Sequence, residues 1–363
     1  QKLICEKHFP PSTFRDYSAP KKRLNKNAVP LKYGIDEPAL LLNGQEIKNS
    51  CTVTSFSQVD TAVASCSDIV ISGIDIPAGV PLRLDLNNGT KLTFDGRITF
   101  GFAEWDGPVI YITGHNVTIE GAKDHVLDGQ GDLWWDGLGG QGRHFEAHIY
   151  KNRDYRGLHG WVIDCSDGDK PGGGHNTDGF GVKAGSNVVI QNAVVKNQDD
   201  CIVVNYGSNY YFSNISCSGS HGLSLSVGQG QTFELNTVSN VTFIDSSVAN
   251  SENGIHVKTH GDGGLGVITD VTYQNIKLSG IINYGINIQE DYVNGTGNGT
   301  ANNNVPIRNL KLINIEGTVG ETAMPIYIYC ADEGCFDWEF SNVSVTGGSK
   351  DSSCNFTPEG FTC

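Results

Sequence analysis

The chain has 363 residues, enough for one large domain or two ordinary ones, and a formal net charge of −15 at pH 7. This acidic balance argues against a nucleic-acid-binding protein, although it does not exclude an anionic substrate where basic residues are concentrated locally. The 46 glycines, single methionine and short apolar segments are typical of many short strands joined by turns. No run of 18 apolar residues occurs, so we expect no membrane-spanning helix.

Residues 1–45 differ from the rest, because they are basic, rich in proline and without strand periodicity. Cys5 and His8, followed by Ala28-Val29-Pro30, resemble the second half of a THAP zinc finger. The two earlier cysteines of such a finger are absent, so two of the four ligands of a tetrahedral zinc site are missing. We therefore interpret residues 1–45 as an irregular N-terminal extension and residues 46–363 as the folded domain.

The folded domain begins with a helical pattern and continues as strands. The apolar spacing within residues 55–65 predicts a short helix, which would cap the open end of a solenoid. Short apolar runs separated by Gly, Asn and Asp turns then predict strands over residues 69–119. This pattern is lost between Leu138 and His175 and returns from Val188 to the end.

A repeated interval marks the middle of the chain. Asp178 lies 21 residues before Asp199, and Asp200 lies 21 residues before His221. Such a repeat predicts a solenoid, whose successive turns lie about 4.8 Å apart and would bring these side chains to one face. The absence of long amphipathic helices argues against a doubly wound α/β fold. An immunoglobulin-like array would also have short strands, but the repeat favours an all-β, right-handed parallel β-helix with a short N-terminal capping helix.

Cysteine usage predicts a secreted protein. The chain has ten cysteines and eight Asn-x-Ser/Thr sequons, which together favour an extracellular location. Short spacings suggest four local disulfides, although the sequence leaves the connectivity open: Cys51 with Cys66, Cys201 with Cys217, Cys330 with Cys335, and Cys354 with Cys363. Cys5 and Cys165 are left over.

The three aspartates suggest glycosidic-bond hydrolysis. This reaction needs one carboxylic acid to protonate the leaving oxygen and a second carboxylate to attack the sugar or to activate water. Asp178, Asp199 and Asp200 would supply these groups from adjacent turns. Like charges so close together raise one pKa, which keeps one carboxylic acid protonated. His221, one turn further on, would hydrogen-bond to that acid and tune it.

Two basic side chains extend the candidate site. His256 and Lys258 stand two residues apart, so on a strand both face the same way. Lys258 would place a fixed positive charge against a substrate carboxylate. Taken singly, each residue has a simpler interpretation, since aspartates in Gly-rich corners form turns and an isolated lysine is a solvated strand residue. A calcium site in the aspartate cluster is another alternative. The shared spacing favours the catalytic interpretation.

With these residues the chain resembles the polygalacturonases, a group of pectin-hydrolysing glycoside hydrolases. The resemblance covers about Ser50 to Cys363, includes the four cysteine pairs, and lies in these motifs: Asn176-Thr177-Asp178, Gln198-Asp199-Asp200, His221-Gly222, Lys258, and Tyr292 in Gln289-Glu290-Asp291-Tyr292. It implies a parallel β-helix that hydrolyses α-1,4-linked galacturonic acid with inversion. The expected partner is polygalacturonate or pectin, with no nucleic acid, no membrane, no metal and no cofactor, and we expect a monomer.

The same resemblance implies the roles of the site residues. The catalytic groups would be Asp199 as general acid, Asp178 and Asp200 to position and deprotonate water, and His221 to tune the acid. The substrate-binding residues would be Lys258, Tyr292, His256 and Asn176. Stacked coils predict carboxylates closer together than the roughly 6.5–9.5 Å usual in inverting enzymes.

Three departures from the family pattern qualify this function. His256 stands where the family has arginine, so we expect weaker galacturonate binding, or activity shifted to the acidic pH at which imidazole is charged. Gly181 stands where the family often has aspartate. The interval from Trp135 to Asn176 is about one coil short. A catalytically weakened or inactive pectin-binding relative is therefore the main alternative, and a calcium-dependent lyase is a further one.

Overall fold

The computed structural model describes residues 14–15, 23–24, 50–105, 109–133, 147–149, 158–170, 173–293 and 295–363. The chain divides into two compact units, Gln1–Ile47 and Lys48–Cys363. The described part of the first unit is an antiparallel pair of strands, β1 (Phe14–Arg15) and β2 (Arg23–Leu24). The THAP-like residues 5–8 and 28–30 lie outside the described residues, so the interpretation of residues 1–45 stays a prediction.

The second unit opens with a helical cap. A 3₁₀ turn at Phe56–Gln58 leads into helix α1 (Val59–Ser65), whose Val59 and Ala62 are buried in the hydrophobic core. The disulfide between Cys51 and Cys66 ties the end of this helix to the first strand. The helix thus covers the first coil, which confirms the predicted N-terminal cap.

The remaining described strands are short before residue 170 and longer after it. Those of the first part are β3 (Cys51–Val53), β4 (Asp68–Ser72), β5 (Asp75–Ile76), β6 (Leu82–Asp85), β7 (Lys91–Asp95), β8 (Arg97–Phe100), β9 (Ile110–Thr113), β10 (Thr118–Gly121), β11 (Val126–Asp128), β12 (Ala147–Ile149), β13 (Leu158–His159) and β14 (Val162–Asp164). Those of the second part are β15 (Phe180–Ser186), β16 (Val189–Lys196), β17 (Ile202–Ser218), β18 (Leu223–Val227), β19 (Thr237–Ala249), β20 (Asn253–His260), β21 (Val267–Ile281), β22 (Tyr284–Val293), β23 (Thr296–Gly297), β24 (Ile307–Val319), β25 (Met324–Tyr329), β26 (Cys335–Phe336), β27 (Glu339–Gly347) and β28 (Ser353–Cys354). Further 3₁₀ turns lie at Gly131–Leu133, Ser166–Gly168 and Glu234–Asn236.

One face of the solenoid, which we call the cleft wall, consists of β15, the start of β17, β18, β20, β22 and β25. Neighbouring strands in it are parallel. Side chains alternate between the core and the outside, as strand geometry requires. The core positions form one apolar column: Phe180, Ile202, Leu223, Ile255, Ile286 and Ile326. The positions one residue later form an outward column: Gly181, Val203, Ser224, His256, Asn287 and Tyr327.

Like residues also stack elsewhere in the solenoid. Phe212, Phe243 and Tyr273 occupy one register inside the core, with ring centroids 4.8 and 4.6 Å apart. At one corner Asn209 and Asn240 have positive φ and are joined by a side-chain hydrogen bond of 2.8 Å. Parallel pairing of successive coils confirms the right-handed parallel β-helix, and the immunoglobulin-like alternative is wrong because its strands would pair antiparallel.

The solenoid is least regular where the sequence pattern is lost. Pairing continues through this region on one wall, from β10 to β13 and from β13 to β16. Within the described residues, no backbone pairing joins β12 to β15 or β11 to β14. The stack is thus interrupted on the cleft wall directly before β15. The expectation that one coil is missing here stays a prediction.

The predicted disulfides are all present: Cys51–Cys66, Cys201–Cys217, Cys330–Cys335 and Cys354–Cys363. Among the described residues Cys165 is a free thiol. No helix within the described ranges is long and apolar enough to cross a membrane.

Candidate active site

The predicted catalytic residues lie at the corner that precedes the cleft wall. Ile202 pairs with Phe180 on one side and with Leu223 on the other. The residues two positions earlier are Asp178, Asp200 and His221, so they lie level on three successive coils. The 21-residue interval of the sequence thus holds between Asp200 and His221, whereas Asp178 is level with Asp200, 22 residues later, and not with Asp199.

A single buried amide fixes the backbone of this corner. Asn197 Nδ2 donates hydrogen bonds to the carbonyl oxygens of Thr177, Asp199 and Asp200, at 2.8, 3.0 and 2.9 Å. Cys201, which follows Asp200, is held by its disulfide with Cys217. The coil of Asp178 and the coil of Asp199 and Asp200 are therefore fixed relative to each other, and such fixing holds reactive groups in place.

Asp200 forms a buried ion pair with a residue two coils away. Its Oδ2 lies 3.0 Å from Lys258 Nζ, and the two side chains are only 5% and 6% exposed. Its Oδ1 accepts a hydrogen bond of 2.5 Å from the Ser224 hydroxyl. Burial alone would lower the pKa of Lys258, but the Asp200 charge outweighs this effect and raises it. The lysine thus stays charged and holds the carboxylate in place.

Asp199 is oriented by His221. His221 Nδ1 lies 3.1 Å from Asp199 Oδ1, and its Nε2 lies 3.5 Å from Glu252 Oε2. Burial opposes ionisation of Asp199, but the hydrogen bond and charge of His221 outweigh it and lower the pKa of Asp199. The pKa of His221 is correspondingly raised, because these carboxylates outweigh its burial.

The surroundings of Asp178 favour its protonated form. Burial, followed by the charges of Asp199 and Asp200, raises the pKa of Asp178 to about 8. Protein surrounds this carboxyl on most sides, although its side chain also faces solvent, and screening by that water limits the rise. The surroundings thus act in opposite directions: they favour the neutral form of Asp178, and His221 favours the ionised form of Asp199. Asp199 as the general acid stays a prediction.

His256 is buried on the cleft wall and uncharged. Burial, together with the charge of Lys258, holds the pKa of His256 well below its ordinary value. Its Nδ1 lies 3.4 Å from Asn253 Nδ2, and its Nε2 has no partner. The imidazole therefore stays neutral at the acidic pH at which an exposed histidine gains a proton. This environment disfavours the charged form of His256, and both expectations for His256, weaker binding and activity shifted to acidic pH, stay predictions.

Tyr292 closes the site on the side of the later coils. Lys258 Nζ lies 5.0 Å from its ring centroid, and the rings of His256 and His260 meet it edge-on at 6.0 and 5.3 Å. His260 is in turn 3.0 Å from the Ser226 hydroxyl through Nε2. Tyr292 is thus held against the lysine by aromatic contacts on both sides.

Asn176 and Gly181 lie on the exposed part of the site. Asn176 is exposed and has φ of 49°, in the left-handed region that asparagine tolerates. A side chain at Gly181 would meet no atom within 4 Å, so the cleft is open there. Neither residue contacts Lys258 or Tyr292 through any hydrogen bond found among the described residues.

A metal ion is one alternative use of this cluster. Ligand atoms of Asp199, Asp200 and His221 lie within 4.8 Å of one another. Lys258 Nζ, however, already occupies one oxygen of Asp200, and its charge would repel a cation. In the described part of the chain, the other candidate group is Glu290 with Cys330 and Cys335, whose sulfurs are joined in a disulfide.

Several residues of the site were missed in the sequence. Ser224, Glu252 and Asn253 contact Asp200, His221 and His256, but none belongs to a recognisable motif. Ser224 was accessible in principle, because it is the outward residue of the alternating LSLSV strand. The alignment of Ser224 with His256 on the next coil depends on the coil length, which the sequence does not specify.

The family model described as "Glycosyl hydrolases family 28" matches the chain over residues 66–150 and 143–363. The two matches meet within the irregular region. A polygalacturonase of Phaedon cochleariae is 43% identical over 343 residues, which are 87% of this chain and 94% of the relative. Endopolygalacturonase A of Aspergillus niger is 44% identical over 341 residues, covering 87% and 91%.

Among solved structures, endopolygalacturonase I of Stereum purpureum, complexed with two galacturonates, aligns with a TM-score of 0.70. It is 32% identical in sequence, and the alignment covers 83% of this chain and 96% of that one.

Proposed function

The chain belongs to glycosyl hydrolases family 28 and is a pectin-hydrolysing glycoside hydrolase, and we propose that it is a secreted enzyme that cleaves α-1,4-galacturonosidic bonds of polygalacturonate and pectin with inversion. The observation that supports this most is the stack of Asp178, Asp200 and His221 on successive coils, with Asp199 beside it. Four disulfides agree with an extracellular location.

The single proton of the carboxyl cluster suggests a catalytic cycle at the end of which the carboxyl groups regain their starting protonation. In the free enzyme this proton lies on Asp178, which shares a hydrogen bond with Asp199. Its transfer to Asp199 makes Asp199 a general acid and leaves Asp178 ionised as a base. Asp199 then protonates the leaving glycosidic oxygen while Asp178 and Asp200 take a proton from the attacking water. The bond from the anomeric carbon to the leaving oxygen breaks, a bond to the water oxygen forms, and Asp178 regains its proton.

Binding residues lie on the coils after the carboxylates. Lys258 would steady Asp200 and approach the sugar, and Tyr292 would support the ring. We retain Asn176 and His256 as substrate-binding candidates, the first on the exposed corner and the second on the cleft wall. His221 acts on Asp199 and so is a positioning residue.

Release of reducing ends from polygalacturonate, across acidic to neutral pH, tests the hydrolase function directly. Proton NMR of the first product distinguishes inversion, which yields the β-anomer from an α-linkage. Activity that disappears with a chelator and is restored by calcium would support the lyase alternative instead. Appearance of the protein in the medium of a eukaryotic host that expresses its full-length gene tests secretion.

A weakened or inactive pectin-binding protein remains the second candidate. It is favoured by the interrupted pairing between β12 and β15, because a solenoid coil is supported only by its neighbours. Retention on immobilised polygalacturonate without release of reducing ends would identify this alternative.

A further inference from the structure

His260 is a buried histidine on the cleft wall that the proposed catalytic cycle does not use. It ends β20, two residues after Lys258, and is only 4% exposed. Its Nε2 lies 3.0 Å from the Ser226 hydroxyl, and its ring meets the Tyr292 ring edge-on, with centroids 5.3 Å apart and planes at 89°. One imidazole thus connects a serine on the coil before it with a tyrosine on the coil after it.

A shift of one residue in the strand pairing brings Tyr292 to this position. On β20, Lys258 and His260 are two residues apart, but their partners on β22 are three residues apart. These partners are Gln289 and Tyr292. By strict alternation Tyr292 would share the core-facing side of Ile288, and the extra residue turns it to the outward side instead. Because regular pairing is interrupted just before Tyr292, the orientation of its side chain depends on neighbouring side chains.

The backbone around His260 keeps the imidazole in place. The Gly263 N–H donates to the His260 carbonyl at 2.9 Å, and the Gly261 N–H donates to the Tyr292 carbonyl at 3.0 Å. Gly228, with φ of 126°, lies so close that a β-carbon on it would be 3.2 Å from the His260 Cβ. Burial lowers the pKa of His260, which favours the neutral ring and adds no second positive charge to the site.

Of the two rings, that of Tyr292 is the one that a sugar can reach. Tyr292 is partly exposed, and Lys258 Nζ lies 5.0 Å from the centroid of its ring. A ring that is already held in one orientation loses less conformational freedom on binding than a ring that must first be ordered. His260 therefore acts on the substrate through Tyr292, without touching the sugar itself.

We propose that His260 is a positioning residue, which holds the Tyr292 ring in the orientation that binds a galacturonate unit next to Lys258. This inference rests on the proposed hydrolase function, in which Tyr292 is a binding residue. The edge-on ring is the essential feature of His260, and the hydrogen bond with Ser226 supports that ring. Loss of the ring weakens substrate binding and leaves the chemistry of the carboxylates unchanged.

The test measures kcat and KM on polygalacturonate for three changes at His260 in the full chain. His260→Ala removes both contacts, His260→Gln keeps a hydrogen-bonding group for Ser226 without a ring, and His260→Phe keeps a ring without the hydrogen bond. We expect KM to rise about threefold to tenfold in His260→Ala and His260→Gln, as loss of an aromatic pair predicts, with kcat nearly unchanged. His260→Phe should restore most of the affinity.

Two comparisons separate positioning from general stability. In a Tyr292→Leu background, His260→Ala should raise KM no further, because the ring that it positions is gone. His125→Ala is the matched control, since His125 is also buried and its ring meets that of Trp161 edge-on at 5.4 Å, in the turn between β10 and β11. This control should lower the melting temperature without a change in KM.

An unchanged KM in His260→Ala overturns the proposal, as does a KM that rises as much in His260→Phe as in His260→Gln. Additive effects of His260→Ala and Tyr292→Leu would show that His260 does not act through Tyr292. If His260→Ala does not fold, the comparison of His260→Phe with His260→Gln decides. A wild-type enzyme that hydrolyses no polygalacturonate refutes the hydrolase function. Calorimetric affinities of the same variants for a galacturonate oligomer then decide this inference, because equal affinities, or no binding at all, overturn it.

Discussion

Replacing Lys258 with methionine tests whether the Lys258–Asp200 ion pair stabilises the site. Lys258 Nζ and Asp200 Oδ2 are 3.0 Å apart, and both side chains are almost completely buried. Methionine fills similar space but leaves the Asp200 carboxylate with the Ser224 hydroxyl and no counter-charge. Removing one partner of a buried pair costs about 3–5 kcal/mol. That loss is a large part of the roughly 5–15 kcal/mol that stabilises a typical domain.

The free energy of unfolding is measured by chemical denaturation of Lys258→Met, Asp200→Asn and the double variant, with disulfides intact. We expect the double variant to recover most of the stability lost in Lys258→Met, because it buries no unpaired charge. It should not recover activity, since Asp200 would no longer help to deprotonate water.

Lys277→Met is the control, because Lys277 forms a longer pair of 3.7 Å with Glu316 and both side chains are mostly exposed. We expect that change to cost less than about 1 kcal/mol. The reasoning fails if Lys258→Met is no more destabilising than Lys277→Met, or if the double variant is as unstable as Lys258→Met.

Three further predictions concern carboxyl groups. Asp199→Asn should lower kcat by about 10²–10⁴ without a change in fold, as loss of a general acid does, and wild-type activity would contradict its role. The kcat/KM should decline as pH rises through the raised pKa of Asp178, at or somewhat below 8, because the cluster then loses its one proton; a flat profile to higher pH would contradict this. Burial raises the pKa of Glu290 from 4.5 to about 7, so folding binds its proton and wild-type stability should fall by about 3 kcal/mol between those pH values. Glu290→Gln should remove that decline in denaturation curves, and an unchanged decline would show that Glu290 is not its source.

Local signals in the sequence predicted much of the fold. Alternating apolar residues, Asn and Gly corners, and a repeat of about one coil were enough for a parallel β-helix with a helical cap. The four cysteine pairs were also accessible, because each closes a short loop. The repeat also predicted that Asp178, the Asp199–Asp200 pair and His221 lie at one face on successive coils, although it matched Asp178 with Asp199 where the register matches it with Asp200.

The irregular region before β15 was predicted only as a loss of pattern. Its path depends on which wall continues to pair. Within the described residues β13 keeps one wall connected, while no pairing joins β11 to β14 or β12 to β15 on the other two walls. Nothing in the sequence between Leu138 and His175 specifies that choice.

The sequence by itself determined the residue types of the site, their order and their approximate level on the solenoid. Only the tertiary structure decided their charges. The pKa of Asp178 is raised while that of Asp199 is lowered, because His221 lies 3.1 Å from Asp199, and the pKa of His256 is lowered because it is buried beside Lys258. Protonation depends on burial and on partners from other coils, such as Lys258 for Asp200. These partners are brought together by coil registration, which is a property of the folded chain and not of any local segment.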